Sequence, residues 1–147
     1  MSVAAAARPP RRVRAVWGRF GSVAVMSYNL SRLLSTATAG YGAFALAKPE
    51  HLGNVLQADK EDRPGYDLLA QAYGVRDLAI GAVGLFGRSG RTVKAAMLIR
   101  VAMDLGDAAL LAPRMKDDAI RRKVLAVTLG WAGLNALALA IDSARND

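Results

Sequence analysis

Four long apolar stretches follow one another along the chain, separated by charged segments. They cover about residues 31–47, 66–87, 92–113 and 124–141. The last has eighteen residues and no charge, which is about the length that a helix needs to cross a bilayer. The alternation of polar and apolar residues that is typical of strands is not seen. The pattern therefore predicts an all-α fold, a four-helix transmembrane bundle.

Short polar breaks set the ends of these predicted spans. Lys48-Pro49 ends the first span, because the residue before a proline avoids the helical conformation. A glycine-containing turn over residues 87–91 joins the second span to the third and predicts an antiparallel helical hairpin. Residues 48–65 and 114–123 are the predicted polar links on the other side of the membrane.

The sequence divides into a basic N-terminal arm, residues 1–21, and a four-helix membrane domain, residues 22–147. The arm is rich in alanine, proline and arginine and has no acidic residue. It is either a disordered tail or a short amphipathic helix at the membrane interface. Four of its arginines are expected to contact anionic lipid headgroups. These arginines are Arg8, Arg11, Arg12 and Arg14.

Composition favours lipid over water as the surroundings of the helices. Aromatic residues make up only 6% of the chain, whereas alanine, leucine, valine and glycine dominate. Small residues let helix backbones approach closely in lipid. The alternative is a soluble four-helix bundle with an unusually apolar last helix, which the charges inside the second and third stretches favour. The glycines in the helices argue against a soluble bundle, because a glycine in a water-exposed helix lowers stability by about 1 kcal/mol relative to alanine.

Residue counts exclude several kinds of chemistry. The chain has no cysteine and one histidine, His51. Disulfides, thiolate catalysis and multi-histidine metal sites are therefore excluded, and no cofactor is expected. The net charge of +8 comes from basic residues just outside the apolar stretches, unlike the basic face of a nucleic-acid-binding protein. The expected partner is the lipid bilayer, without nucleic acid, and a homo-oligomer is compatible with the pattern.

Orientation in the membrane stays open. Lysines and arginines divide almost evenly between the two predicted sides, so the positive-inside rule does not decide it.

Five charged residues lie near the middle of the two spans of the predicted hairpin. They are Arg76 and Asp77 in the second span and Arg100, Asp104 and Asp107 in the third. A charge near the bilayer centre costs at least about 2.5–3.5 kcal/mol, so such residues normally face the interior and pair. A helix turns by about 100° per residue, so Arg100, Asp104 and Asp107 lie on one face of the third span. In an antiparallel hairpin this face lies at the same depth as Asp77 in the second span. We therefore expect Asp77 to face Arg100, while Arg76 points either to the third span or to another one.

Small residues share a helix face with Asp77. They are Ala70, Gly74, Gly81 and Gly84. We expect this small face to let the second and third spans approach each other closely.

Two interpretations of the charge cluster stay open. One is a structural set of ion pairs that determines the register of the hairpin. The other is a polar site at the bilayer midplane that holds a polar ligand group or transfers protons. In that case Asp77, Asp104 or Asp107 is the catalytic acid or base, and Arg76 and Arg100 tune it.

A metal site is the weakest alternative. Asp104 and Asp107, three residues apart, could share a divalent cation. The other acidic pair, Asp117-Asp118, lies near the far end of the third span, so no metal site is expected.

Several short motifs carry a family resemblance. At the end of the first span are Gly40-Tyr41-Gly42 and Lys48-Pro49-Glu50. The later spans hold Tyr73-Gly74-Val75-Arg76-Asp77-Leu78 with Gly81, and Asp104-Leu105-Gly106-Asp107-Ala108. With these motifs, residues 30–141 resemble a family of short four-span integral membrane proteins, the domain of unknown function 4267. The resemblance implies a four-helix membrane fold and implies no activity.

The sequence thus predicts a small, multi-pass integral membrane protein of unassigned activity, whose charge cluster is structural or holds a polar ligand. The alternative is a membrane-embedded acid/base enzyme, of isomerase or cyclase type, that acts on a lipophilic substrate. A third interpretation is a subunit or a fragment of a transporter. A cavity that reaches the charges would favour an enzyme or a transporter, whereas a sealed cluster would favour a structural role.

Overall fold

The computed structural model describes residues 28–146, and this part of the chain is all-helical. The predicted basic arm, with Arg8, Arg11, Arg12 and Arg14, lies outside the described residues. Five α-helices and one short 3-10 helix follow one another. They are α1 (Asn29–Ala47), α2 (Glu50–Val55), α3 (Arg63–Phe86), α4 (Gly90–Leu111), the 3-10 helix (Ala112–Arg114) and α5 (Asp118–Asn146). The prediction of an all-α fold is confirmed.

The four long helices correspond to the four apolar stretches, but each begins two to six residues before its stretch. The largest difference is at α5, which has 29 residues and begins six residues before the apolar stretch at 124. Asp117 explains this early start, because its Oδ1 accepts bonds from the backbone N–H groups of Ala119 at 2.7 Å and Ile120 at 2.9 Å. These bonds satisfy free amide groups of the first turn and lower the pKa of the Asp117 carboxyl.

The predicted polar link 48–65 contains a helix of its own, α2. Pro49 precedes α2, and its fixed φ suits a position at a helix start. The reversal from α1 to α2 is closed by backbone bonds from Lys48 N to Phe44 O at 2.9 Å and from His51 N to Lys48 O at 3.2 Å. As a result α2 packs against α3, where a plain loop was predicted.

The small face of α3 packs against α1, so the prediction that it would face the third span is wrong. A Cβ atom on Gly81 would lie 2.7 Å from both Ala39 N and Ser35 O of α1. One on Gly42 of α1 would lie 2.7 Å from the carbonyl oxygen of Gly74. Helices α1 and α3 are therefore in backbone contact along this face, as small residues permit.

Polar bonds tie the ends of the helices together. Arg32 of α1 donates to the carbonyl oxygens of Leu85 and Gly87, the latter at 2.6 Å, and so satisfies free carbonyl groups at the end of α3. The backbone N–H of Ser31 donates to Asp142 Oδ2 of α5 at 2.7 Å. Both contacts lie at the end of the molecule where α1 and α4 begin.

Large apolar side chains lie mainly on the outside of the helices, while the interior is small or polar. The buried set includes Ser31, Ser35, Thr38, Asp77, Arg100, Asp104, Asn135 and Asp142, together with several alanines. Among residues 28–146, two clusters of larger apolar residues are buried. One gathers around Val93 and Met97, and the other around Leu56 and Val124 near α2. The charged residues lie between these two ends.

By length and composition, α5 is the one helix in the described part of the chain that could cross a membrane. Its most apolar eighteen residues have a mean hydropathy of 1.9, and only 22% of them are buried. The helices α3 and α4 carry the five charged residues predicted to pair, and charge lowers their hydropathy. The all-helical architecture is thus observed, together with one candidate span.

Substituting Gly81 by alanine should separate α1 from α3. The added Cβ would meet backbone atoms, which cannot rotate away, so we expect a loss of about 1–3 kcal/mol. Differential scanning fluorimetry in detergent would show this as a lower melting temperature. The matched control is Gly130→Ala, because a Cβ on Gly130 of α5 meets nothing within 4 Å. Equal melting temperatures for the two variants would contradict the packing described above.

Candidate functional site

The five charged residues near the middle of the predicted hairpin form one chain of alternating charge. Arg76 holds Asp107 through two contacts, Nη1 to Oδ1 at 3.1 Å and Nη2 to Oδ2 at 2.9 Å. Arg100 also binds Asp104 in a bidentate contact, Nε to Oδ2 at 3.1 Å and Nη2 to Oδ1 at 2.9 Å. Asp77 lies between the two arginines. Its Oδ1 accepts from Arg76 Nε at 2.9 Å and is ion-paired with Arg100 Nη1.

Helix geometry explains the order of this chain. Arg76 and Asp77 are neighbours on α3 and point about 100° apart, so Arg76 reaches Asp107 while Asp77 reaches Arg100. Arg100 and Asp104 are one turn apart on α4 and share a face. The predicted approach of Asp77 to Arg100 is observed. The choice left open for Arg76 is resolved, because it pairs with α4, the predicted third span.

Asp77, at the centre of the chain of charges, is more deeply buried than the Arg76–Asp107 pair at one end. The side chains of Arg76 and Asp107 are 22% and 14% exposed, whereas that of Asp77 is 1% exposed. Charges with so little solvent contact need partners, because an unpaired one would carry the full cost of desolvation. Each of the three carboxylates has at least one guanidinium partner, so no member of the cluster is left unpaired.

A cavity of about 290 Å³ opens beside the cluster and reaches all five charged residues. Every one of the five helices contributes to its lining. The apolar and aromatic wall consists of Leu52, Val55, Leu56, Tyr73, Leu111, Val124, Val127 and Trp131. The cluster is therefore accessible from a largely apolar space and is not sealed inside the protein.

The charges that line the cavity balance. Lys123 of α5 joins Arg76 and Arg100 as the third cation, against the carboxylates of Asp77, Asp104 and Asp107. Tyr73 lies on the wall beside Arg76, with the guanidinium carbon 4.4 Å from the ring centroid. Such stacking holds the guanidinium plane in place.

Sequence reasoning missed a second polar feature of the cavity, formed by Tyr41 and His51. His51 was expected in a polar link, but it lies on α2, which follows α1 directly and faces the cavity. Its Nε2 is 3.0 Å from the hydroxyl oxygen of Tyr41, and its Nδ1 is 2.7 Å from the carbonyl oxygen of Lys48. The available signal was Lys48-Pro49, because a sharp reversal there returns the next residues towards the end of α1.

The carboxylates are not arranged as a metal site. Asp104 and Asp107 bind different guanidinium groups and do not converge on a shared point. Among residues 28–146 no group of three or more His, Cys, Asp or Glu side chains is placed to hold a metal ion.

Comparison with known proteins gives no match, either to a family model, to a curated protein or to a solved structure. The function of this chain must therefore be inferred from its own residues.

Removing one member of the Arg76–Asp107 pair should be worse than removing both. Asp107→Leu removes the bidentate partner of the partly buried Arg76, which costs up to about 3–5 kcal/mol of stability. The double variant, with Arg76→Leu as well, leaves no unpaired charge, because Asp77 stays paired to Arg100. The Asp77–Arg100 pair cannot be separated in this way, because Arg100 also holds Asp104. Thermal melting in detergent measures the two single variants, Arg76→Leu and Asp107→Leu, and the double variant.

The exposed pair of Asp118 and Arg121 provides the control for this cycle. These side chains are 72% and 46% exposed, so Arg121→Leu should change stability by less than about 1 kcal/mol. Additive losses in the Arg76 and Asp107 variants would mean that the two residues do not stabilise each other.

Proposed function

We propose that this protein is a multi-pass integral membrane protein whose cavity binds a lipophilic molecule carrying an uncharged polar group. The observation that carries the proposal is the 290 Å³ cavity, which brings an apolar wall and all five charged residues to one space. A cluster that served only to hold the hairpin together would not need such access. Ligand sites typically combine a mostly apolar lining with a few polar groups that orient the ligand.

The distribution of apolar side chains supports a lipid environment for all four long helices. One large residue from each helix illustrates it: Leu33 is 65% exposed, Leu68 68%, Leu98 59% and Leu137 57%. A soluble protein rarely leaves extended apolar surfaces on every side, since they would bind other molecules or aggregate. Charged and hydroxyl side chains occupy the interior instead, where intramembrane polar groups are expected to lie.

The lengths of the helices support four spans. The shortest long helix, α1, has 19 residues and measures about 28 Å at 1.5 Å per residue. The hydrocarbon core of a bilayer is about 30 Å thick. In this proposal α5 crosses the membrane as an apolar helix, and α3 and α4 cross as a pair whose charges neutralise each other. We also propose that the chain is a divergent member of the four-span family whose motifs it resembles.

Charge balance indicates the kind of ligand. Three cationic and three anionic side chains line the cavity, so a ligand with a net charge would add an uncompensated charge to an apolar space. A hydroxyl or carbonyl group can be bound without that cost. Arg76 is placed to bind it, because its contacts with Asp77 and Asp107 use three of the five N–H donors of a guanidinium.

Membrane topology provides the first test. The chain has no cysteine, so single cysteines can be introduced at Asp59, Arg88 and Lys116 and labelled with an impermeant maleimide. In membrane vesicles of one orientation we expect Asp59→Cys and Lys116→Cys to be labelled from one side and Arg88→Cys only from the other. Labelling of all three from both sides, or recovery of the protein in the soluble fraction after a carbonate wash, would refute the four-span proposal.

Photolabelling tests the cavity. A dodecanol analogue with a diazirine should label cavity-lining peptides of the full chain in nanodiscs. Excess dodecanol should compete with this labelling. Dodecanoate should compete at least about tenfold less well, because its unpaired charge is costly in the cavity. Val127→Phe, which adds bulk on the cavity wall, should reduce the labelling that can be competed. Leu129→Phe, on the outside of the same helix, should not. Labelling without any competition would mean that the probe marks only the lipid-facing surface.

A further inference from the structure

The Tyr41–His51 pair has a defined protonation pattern. The Lys48 carbonyl oxygen can only accept a hydrogen bond, so the nearby Nδ1 of His51 carries a proton and donates it. In the neutral ring Nε2 then has the lone pair. The Tyr41 hydroxyl, 3.0 Å away, donates to that lone pair. This is a hydroxyl hydrogen-bonded to a base that a third group orients, the arrangement used to activate side chains in catalysis.

Packing holds the imidazole ring in place. The Phe44 ring centroid lies 4.9 Å from that of His51, and the Tyr41 ring meets it nearly at right angles, at 86° and 5.7 Å. The imidazole is not needed to close the reversal between α1 and α2, because backbone bonds at Lys48 and His51 already do so. The contacts of the imidazole are therefore additional to the backbone bonds that close the reversal.

The pair and the charge cluster share one cavity. Tyr41 and His51 both line it, and so do Asp77, Arg100 and Arg76. The three carboxylates, which the sequence offered as catalytic acids or bases, are each bound by a guanidinium. Among the lining residues, the uncharged base with a lone pair is His51.

We propose that Tyr41 and His51 are the acid/base pair of an isomerase that moves a proton within a lipophilic carbonyl compound bound in this cavity. The inference rests on the proposed function, because it requires the ligand to occupy the cavity. It names the ligand as an unsaturated ketone or a related carbonyl compound with an acidic α C–H. Such a molecule is uncharged, as the balanced lining requires.

The reaction needs no redox partner. The Tyr41 hydroxyl passes its proton to His51 Nε2 and takes a proton from the α-carbon of the ligand. The electron pair of that C–H bond moves onto the carbonyl oxygen, and the enolate is bound by the N–H groups of Arg76. The reverse transfer delivers the proton to the γ-carbon, which moves the double bond into conjugation and restores neutral Tyr41 and His51.

The experiment uses a long-chain methyl ketone with its double bond in the β,γ position and the full chain in nanodiscs. Formation of the conjugated ketone is followed by its ultraviolet absorbance. We expect catalysis above the rate of empty nanodiscs, and a loss of at least about 100-fold in both His51→Gln and Tyr41→Phe, which is the usual contribution of a general acid or base. Asn54→Ala, an exposed change on the same helix α2, should keep the wild-type rate.

Competition by the ketone for the diazirine probe separates the two proposals. If the ketone competes and the wild type does not isomerise it, the acid/base proposal is overturned while the binding proposal stands. If His51→Gln and Tyr41→Phe bind the ketone and isomerise it at the wild-type rate, the pair is not catalytic. If the ketone fails to compete and no turnover occurs, the predicted ligand class is wrong and the acid/base proposal falls with it.

Discussion

The double contact of Asp77 with two arginines is the interaction on which the rest of the structure depends. A single buried carboxylate of α3 joins Arg76 and Arg100, and each arginine in turn holds a carboxylate of α4. Since Asp77 is 1% exposed, its charge is compensated by these contacts and not by solvent. The alternation of sign lets five charges lie together where any one of them alone would be too costly. It also determines the depth at which α3 and α4 meet.

The spacing between helices follows from what lies between them. Where α1 meets α3 the contact is made by glycines, and backbone atoms of the two helices approach closely. Where α3 meets α4 at the level of the cluster, arginine side chains fill the interface, and these need more room than a glycine face does. Helix α1 thus packs close to α3, whereas long side chains separate α4 from α3 at the level of the cluster. The cavity lies beside this wider interface, and α2 covers one part of it.

Much of this architecture could be predicted from the sequence, because hydrophobic runs and their breaks report directly on helices. The hairpin and the approach of Asp77 to Arg100 follow from turn position and helical periodicity alone. Periodicity shows which residues share a face, but it does not show which neighbour that face meets. For this reason the sequence pattern predicts the wrong neighbour for the small face of α3, which packs against α1 and not against α4. The same limit concealed the Tyr41–His51 pair, since contact between residues ten positions apart depends on a chain reversal whose direction no periodic pattern encodes.

The charge balance of the cavity links the membrane proposal to the chemical one. In a space lined by three cations and three carboxylates, a reaction that left a net charge behind would be opposed by the low dielectric of its surroundings. Proton transfer from a bound carbonyl compound to His51 creates one positive and one negative charge inside the same cavity, so the total does not change.

The imidazolium would then donate from both ring nitrogens, to the Lys48 carbonyl and to the Tyr41 oxygen, without any movement of the ring. The enolate, for its part, would meet Arg76, which Asp77, Asp107 and the Tyr73 ring already hold in position. Both charges therefore appear where oriented partners exist before the reaction starts, which is the condition under which an apolar site stabilises separated charge better than water does.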